Sequence, residues 1–168
     1  MTTHHKIVDD ALPKEYFDKL VEAVVWNESF NWTVNANVSD SGGDSDLRNW
    51  YFCSLGYWEN LPIQQALFRM VYPILHKLPE FNSLVRIKAN FYPYTSEQLV
   101  HSMHIDYPYK HKGALISLNT CDGYTLLEDG TKVDSIANRI LYFDPSIPHT
   151  STTTTNAKGR FNIIINYL

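Results

Sequence analysis

The chain has 168 residues, 44% of them hydrophobic, which is enough to bury the core of one domain and excludes a disordered or collagen-like chain. Its 14 basic and 18 acidic residues give a formal net charge of −4. Binding to a phosphate backbone normally needs clustered lysine and arginine, so this balance argues against nucleic acid as a partner.

The composition also indicates a cellular compartment. Two cysteines, Cys53 and Cys121, are too few for a disulfide framework or a structural zinc site. The sequence has no run of about 18 apolar residues, as a membrane-spanning helix requires, and its start lacks the apolar segment of a signal peptide. We therefore expect a cytoplasmic protein with no membrane partner, whose oligomeric state the sequence does not indicate.

Two segments carry apolar residues at helical spacing. The first covers residues 13–26 and begins at Pro13, which suits the first turn of a helix. The second covers residues 63–78 and contains Pro73, which predicts a kink. Both segments are predicted to be helices.

Residues 27–60, between the predicted helices, are rich in aromatic side chains and include an acidic run at 40–46. This run predicts a mobile loop. It matches a calcium loop poorly, because Arg48 stands where the third ligand should fall and no glutamate closes the loop. The aromatic residues either pack on the outer face of a sheet or form a lid beside a substrate groove. They include Trp32, Trp50, Tyr51, Tyr57 and Trp58.

From residue 84 onward the pattern changes to short β-rich runs. They cover residues 84–94, 99–105, 114–119, 124–127, 131–136, 139–143, 149–155 and 161–167. So many short strands in about 85 residues favour a double-sheet jelly roll over a parallel sheet. We predict a mainly β, cupin-like double-stranded β-helix with N-terminal helices packed on one sheet. A single domain, 1–168, would combine a helical and loop part, 1–83, with a jelly-roll core, 84–168.

Three side chains of the β-rich part form a candidate metal site. His104 and Asp106 lie two apart at a predicted strand end, where alternate side chains share a face. His149 begins a late strand, which a jelly roll would place nearby. Two histidines and one aspartate on one face of an octahedral ion suit non-haem Fe(II), because they leave room for a chelating co-substrate and dioxygen. Each residue alone is more often structural.

Other histidines and one arginine need separate consideration beside this pattern. His101 is three residues before His104 and should point away from the metal. His76 and His111 match no part of the pattern. Arg160 directly precedes the apolar last strand, where a bare cation would be costly, so we expect it to pair with an anion.

Several short motifs in order carry a resemblance to a known family. They are Tyr92-Pro93, His104-Ile105-Asp106, Leu118-Asn119, Gly123-Tyr124-Thr125, the run from Asn138 to Phe143 with Pro148-His149, and Gly159-Arg160-Phe161. In these motifs the sequence resembles the prolyl 4-hydroxylase-like branch of the 2-oxoglutarate and Fe(II)-dependent oxygenases, over about residues 86–168. Its N-terminal part is similar to small bacteriophage-encoded oxygenases, in which case the cytoplasm is that of the host.

The resemblance implies roles for individual residues. Three of them would bind Fe(II) and carry catalysis: His104, Asp106 and His149. Arg160 would pair with the distal carboxylate of 2-oxoglutarate, to which a planar guanidinium presents parallel donors. Tyr92 would contact the same co-substrate through its hydroxyl. Ser117 stands where some relatives present a tyrosine, so this contact would be made by Ser117 through water or by another residue.

The resemblance also implies a reaction, the hydroxylation of an unactivated C–H bond by dioxygen while 2-oxoglutarate becomes succinate and CO2. Ascorbate is a candidate additional reductant. A peptide or protein side chain, proline first, is favoured because aromatic walls suit a stiff proline-containing segment. The alternatives are a small-molecule or free amino acid hydroxylase, a nucleic-acid demethylase and a jelly-roll binding protein without turnover. The demethylase branch has a second arginine on its last strand, where this chain has Asn166.

Overall fold

The computed structural model describes residues 5–38 and 48–168. Its elements in chain order are β1 (Lys6–Val8), α1 (Lys14–Val21), β2 (Thr33–Asn35), β3 (Tyr51–Trp58), β4 (Leu61–Pro62), α2 (Gln65–Leu75), β5 (Leu84–Pro93), β6 (Lys112–Ser117), β7 (Tyr124–Leu127), β8 (Lys132–Asp134), β9 (Ile140–Phe143), β10 (His149–Ser151) and β11 (Gly159–Tyr167). The acidic run at 40–46 lies outside the described residues, so its interpretation as a mobile loop stays a prediction.

Two antiparallel sheets form the architecture. The larger has the strand order β1-β9-β6-β11-β5-β3-β2, with β4 paired to β3, and the smaller has the order β10-β7-β8. Residues of both sheets line one internal cavity, so the sheets face each other. This arrangement confirms the predicted jelly roll.

The two predicted helices are present and cover the outer face of the larger sheet. A π-helical turn, Glu22–Trp26, continues α1, and Pro73 lies inside α2. Both helices share an apolar core with alternate residues of the central strands, including Leu20, Leu67, Ile87, Ala89, Ile163 and Ile165. The predicted packing of the helices on one sheet is therefore confirmed. No described helix is both long enough and apolar enough to cross a lipid bilayer.

Strands β5 and β11 connect this core to the cavity. They pair along their length, with Arg160 opposite Tyr92 and Asn166 opposite Arg86. Because side chains alternate along a strand, the faces turned away from the helices point into the cavity. The cavity residues on these strands are Arg86, Lys88, Asn90, Tyr92, Arg160, Asn162 and Ile164. One strand pair thus supplies both the apolar core and a polar cavity wall.

The N-terminal part contains more than the predicted helices and loops, because β1 to β4 lie within it and join the larger sheet. Strand β3 pairs with β5. Its Gly56 lets α2 approach closely, since an added Cβ would lie 3.0 Å from side-chain atoms of Ile87 and Leu67. The single-domain assignment of residues 1–168 stays a prediction.

The aromatic residues of the 27–60 segment divide between packing and the cavity. Trp32 lies 5.9 Å from Phe91 and 6.2 Å from Phe161 between ring centroids, on the outer face. Tyr57 stacks on Phe68 of α2. Tyr51 lines the cavity. The packing interpretation therefore holds for the first two residues, whereas Tyr51 is part of the cavity wall.

The predicted strand at 99–105 is wrong, because this segment pairs with β10 only at isolated points. The amide of His101 donates to the carbonyl of Ser151, and the amide of His104 donates to the carbonyl of His149. The three residue steps from His101 to His104 are therefore opposite only two steps, from Ser151 to His149. The extra residue produces a bulge that interrupts regular pairing.

His101 is not among the three residues whose ligand atoms cluster, in agreement with its exclusion from the metal site. Its ring lies 5.3 Å from that of Tyr92, and its Nδ1 is 3.0 Å from the hydroxyl of Ser151. Both partners line the cavity. His101 therefore packs against the cavity wall without joining the candidate metal ligands.

Candidate metal and co-substrate site

His104, Asp106 and His149 converge at one end of the cavity. Their ligand atoms all lie within 4.8 Å of one another. The backbones of the two histidines exchange hydrogen bonds of 2.9 Å, amide to carbonyl in both directions. Their imidazole centroids are 4.6 Å apart. Strand pairing thus places the two imidazoles together, and Asp106 follows two residues after the first.

Backbone carbonyls orient both imidazoles. Nδ1 of His104 donates to the Ser102 carbonyl at 3.3 Å, and Nδ1 of His149 donates to the Ile147 carbonyl at 3.0 Å. Because a carbonyl only accepts, each Nδ1 carries the proton and each Nε2 keeps a lone pair for a metal. Burial lowers the pKa of His149 despite the opposing charge of Asp106, which favours the neutral ligand form.

Asp106 is held through one of its two oxygens. Its Oδ2 accepts a hydrogen bond of 2.9 Å from Arg86 Nη2 and one of 2.7 Å from Asn166 Nδ2. Burial alone would raise the pKa of Asp106, but the charge of Arg86 together with these hydrogen bonds lowers it to about 2. The carboxylate is therefore ionised, as a metal ligand must be. Its second oxygen, Oδ1, is left available for a metal ion.

Arg160 occupies the cavity wall with only 1% of its surface exposed. Its Nη1 donates to the Tyr124 carbonyl at 2.7 Å, and its Nη2 donates to the Thr125 hydroxyl at 2.8 Å. Within residues 5–38 and 48–168, its Nε has no hydrogen-bond partner and no carboxylate forms an ion pair with it. A buried cation with an unused donor fits an anionic ligand, as the sequence predicted.

Tyr92 lies beside Arg160 on the adjacent strand. Its ring stacks on Tyr51 at 5.4 Å, and the guanidinium carbon of Arg160 is 5.8 Å from its centroid. Burial raises the pKa of Tyr92, and the nearby Ser151 side chain partly opposes this effect. The structure therefore brings together Tyr92 and Arg160, both predicted to contact the co-substrate.

Ser117 is not brought to the cavity in the same way. It is buried at the end of β6, opposite Asn162, whereas the residue of β6 that lines the cavity is Leu115. Strand β6 meets the cavity at Leu115, two residues before Ser117, and the predicted co-substrate contact at Ser117 stays a prediction.

A mouth opens beside the metal ligands. It is lined by Asn35, Asn37, Val38, Tyr51, Arg86, Lys88, Met103, His104, Ile105 and Asp106. Met103 and Ile105 flank His104 and are 41% and 42% exposed. The ligands are therefore reached from solvent on one side, while Arg160 lies on the cavity side.

Sequence reasoning missed Arg86 and Asn166 as partners of the metal ligand Asp106. A signal for Arg86 was present, because polar residues at 86, 88 and 90 alternate with apolar residues and lead to Tyr92. This alternation indicates a strand with a polar inner face. The pairing with Asp106 had no such signal.

No protein-family model and no curated protein matches the chain. An oxidoreductase of the 2OG-Fe(II) oxygenase family from Burkholderia pseudomallei superposes with a TM-score of 0.66 at 11% identity, over 99% of this chain and 85% of that chain. A viral collagen prolyl hydroxylase from Paramecium Bursaria Chlorella virus-1, in a 2OG complex, superposes with a TM-score of 0.56 at 11% identity, over 99% and 97%. The chain has the fold of the 2OG-Fe(II) oxygenases.

A third similar structure was solved with a peptide. It is a prolyl hydroxylase from Trichoplax adhaerens in complex with a hypoxia inducible factor oxygen degradation domain peptide fragment. Its TM-score is 0.53 at 16% identity, over 99% of this chain and 84% of that chain. One of the three structures is viral, and the bacteriophage origin of this chain stays a prediction.

Proposed function

We propose that this protein is an Fe(II)- and 2-oxoglutarate-dependent oxygenase. The observation that carries the proposal is one cavity with three metal-ligand side chains and a buried arginine whose Nε is unused. A chelating keto acid with a distant carboxylate needs both features at once. The shared fold supports the same conclusion.

The three side chains fit Fe(II). His104 and His149 would bind through Nε2, and Asp106 through Oδ1. A facial set of two histidines and one carboxylate leaves positions for a bidentate co-substrate and dioxygen. When bound, iron and 2-oxoglutarate supply the oxidising chemistry with dioxygen and yield succinate and CO2.

The protein's own residues would bind and orient 2-oxoglutarate. Arg160 pairs with the far carboxylate of 2-oxoglutarate, using Nε and the second hydrogen of Nη2. Tyr92 closes that end of the cavity and offers its hydroxyl to the same carboxylate. The apolar side chains of Leu115, Phe143 and Ile164 line the remaining wall and limit water there.

Two measurements test the reaction class. Anaerobic titration with Fe(II) and 2-oxoglutarate should produce the metal-to-ligand charge-transfer band of the chelate, and admission of oxygen should release succinate. His104→Ala and Asp106→Ala should abolish both signals, whereas His76→Ala, a change at the end of α2, should leave them intact. Wild-type-like succinate release in either ligand variant would refute the assignment.

For the substrate, we propose a peptide or protein side chain, with proline as the first candidate. The exposed apolar side chains of Met103 and Ile105 at the mouth favour contact with a polypeptide. The hydroxylase solved with a peptide has the same fold.

A comparison of substrates tests this choice. Succinate release should be stimulated by proline-rich peptides and not by free L-proline, with a gain of one oxygen in the peptide by mass spectrometry. Met103→Ser with Ile105→Ser should raise the apparent KM for the peptide without raising that for 2-oxoglutarate. Coupled turnover on free amino acids alone would reject the polypeptide proposal and leave the oxygenase proposal standing.

A small polar molecule is the second candidate substrate. The amides of Asn35 and Asn37 lie at the mouth, where they could hydrogen-bond a compact polar substrate. A screen of free amino acids by succinate release separates this candidate from the first. A nucleic-acid substrate is disfavoured by the net charge of −4.

A further inference from the structure

His111 is a buried histidine that the proposed reaction does not use. It is 3% exposed and lies five residues after Asp106. Its Nδ1 donates to the Tyr109 carbonyl at 2.8 Å, so the proton resides on Nδ1 and Nε2 is an acceptor. The rings of Tyr107 and Tyr109 each lie 5.5 Å from its own. The imidazole is therefore fixed in both orientation and tautomer.

The acceptor of His111 meets the amide that holds the metal ligand. Asn166 Nδ2 donates to His111 Nε2 at 3.1 Å and to Asp106 Oδ2 at 2.7 Å. The amide oxygen of Asn166 accepts from Arg86 Nε at 3.0 Å. Asn166 is fully buried, and both of its amide hydrogens and its oxygen have partners. One orientation of the amide satisfies all three neighbours.

The opposite orientation of Asn166 is unfavourable for a definite reason. A flipped amide would direct its oxygen at the carboxylate of Asp106 and its hydrogens at the guanidinium of Arg86. It would also leave Nε2 of His111 facing an oxygen. In the present orientation, Asp106 Oδ2 accepts two hydrogen bonds, and Oδ1 is the oxygen that can bind a metal.

We propose that His111 is a positioning residue for the metal, which acts through Asn166 to keep Asp106 a one-oxygen ligand. A carboxylate that turned to bind through both oxygens would occupy a coordination position that a chelating co-substrate needs. The inference rests on the proposed function, because it assumes a metal on the three ligands. We assign this role to the acceptor atom Nε2 of His111, rather than to the bulk of its ring.

Two amide substitutions separate the acceptor from the ring. The side-chain oxygen of glutamine in His111→Gln can reach the place of Nε2, whereas the shorter side chain in His111→Asn cannot. His111→Leu removes the acceptor altogether, and His76→Leu is a control at the end of α2. Co(II) serves as the probe, and its binding is followed by its visible absorption in the presence of 2-oxoglutarate. Folding of each variant is checked by circular dichroism.

We expect Co(II) to bind His111→Asn and His111→Leu about 10- to 100-fold more weakly than wild type, the usual loss for an outer partner of a metal ligand. His111→Gln should keep its absorption band and bind within about 3-fold of wild type, a smaller loss than the 10- to 100-fold expected of the other two variants. Equal affinity of the Asn and Gln variants would overturn the inference, because the acceptor would then be immaterial. Failure of the wild type to bind Co(II) would refute the proposed function instead.

Discussion

Arg86 Nη2 lies 2.9 Å from Asp106 Oδ2, and the two side chains are only 14% and 11% exposed. The guanidinium comes from β5, directly opposite Asn166 of β11, which donates to the same oxygen. The carboxylate that would bind the metal is thus also half of a buried ion pair. Loss of one partner of such a pair leaves the other charge uncompensated.

Replacement of Arg86 should therefore destabilise the metal-free protein. Arg86→Met keeps an unbranched side chain but removes the charge, and we expect a loss of about 3–5 kcal/mol in the free energy of unfolding. Urea denaturation measures it. The matched control is Arg139→Met, which breaks the more exposed pair with Asp9 and should cost much less. Similar losses in both variants would contradict the role of the buried pair.

Asp106 should give the metal-free protein a distinct pH dependence. Its pKa is lowered from 3.8 to about 2 in the folded protein, so the unfolded chain binds a proton more readily between these values. Its contribution to stability is then full above the unfolded pKa and is lost as pH falls toward the folded pKa. The difference amounts to roughly 2–3 kcal/mol at about 1.4 kcal/mol per pKa unit.

The measurement is urea unfolding of metal-free protein from pH 5 downward, with Asp106→Asn as the reference. The wild type should lose more stability than the variant over this range, since the amide that replaces the carboxylate does not titrate. Parallel curves for the two proteins would show that the pKa of Asp106 is not lowered by folding.

Arg160 should determine the affinity for 2-oxoglutarate. In Arg160→Ala, the apparent KM for 2-oxoglutarate should rise at least about 10-fold, since a charge-assisted hydrogen bond is worth about 1.5–3 kcal/mol. Metal binding without 2-oxoglutarate should change little, because Arg160 is not among the ligands. An unchanged KM would mean that another residue holds the far carboxylate.

Gly123 should also affect the affinity for 2-oxoglutarate, because it lies against Arg160. An added Cβ would lie 2.6 Å from Arg160 Cδ and 3.0 Å from the Thr153 carbonyl, so the arginine must shift. Gly123→Ala is expected to raise the KM for 2-oxoglutarate while the protein still binds metal. Gly130→Ala is the control, since its Cβ meets nothing within 4 Å and its positive φ affects stability alone. Equal KM values in both variants would exclude a steric route from Gly123.

Much of the fold was readable from local patterns. The helical spacing before residue 84 and the short β-rich runs after it predict the two helices and the jelly roll that the structure shows. The three metal-ligand candidates were identified because His104 and Asp106 carry a short motif and His149 begins a strand. Such signals survive in sequence because alternation and helical period act between near neighbours.

Other features of the site depend on pairing between distant segments. The bulge between His101 and His104 interrupts the predicted strand at 99–105, because it depends on how that segment meets β10. Arg86 and Asn166 are 80 residues apart in sequence but are neighbours across β5 and β11. Register between strands is a property of the assembled sheet, so no local period reveals it. The sequence therefore identified the candidate ligands, whereas the sheet register selected the residues that hold Asp106 in place.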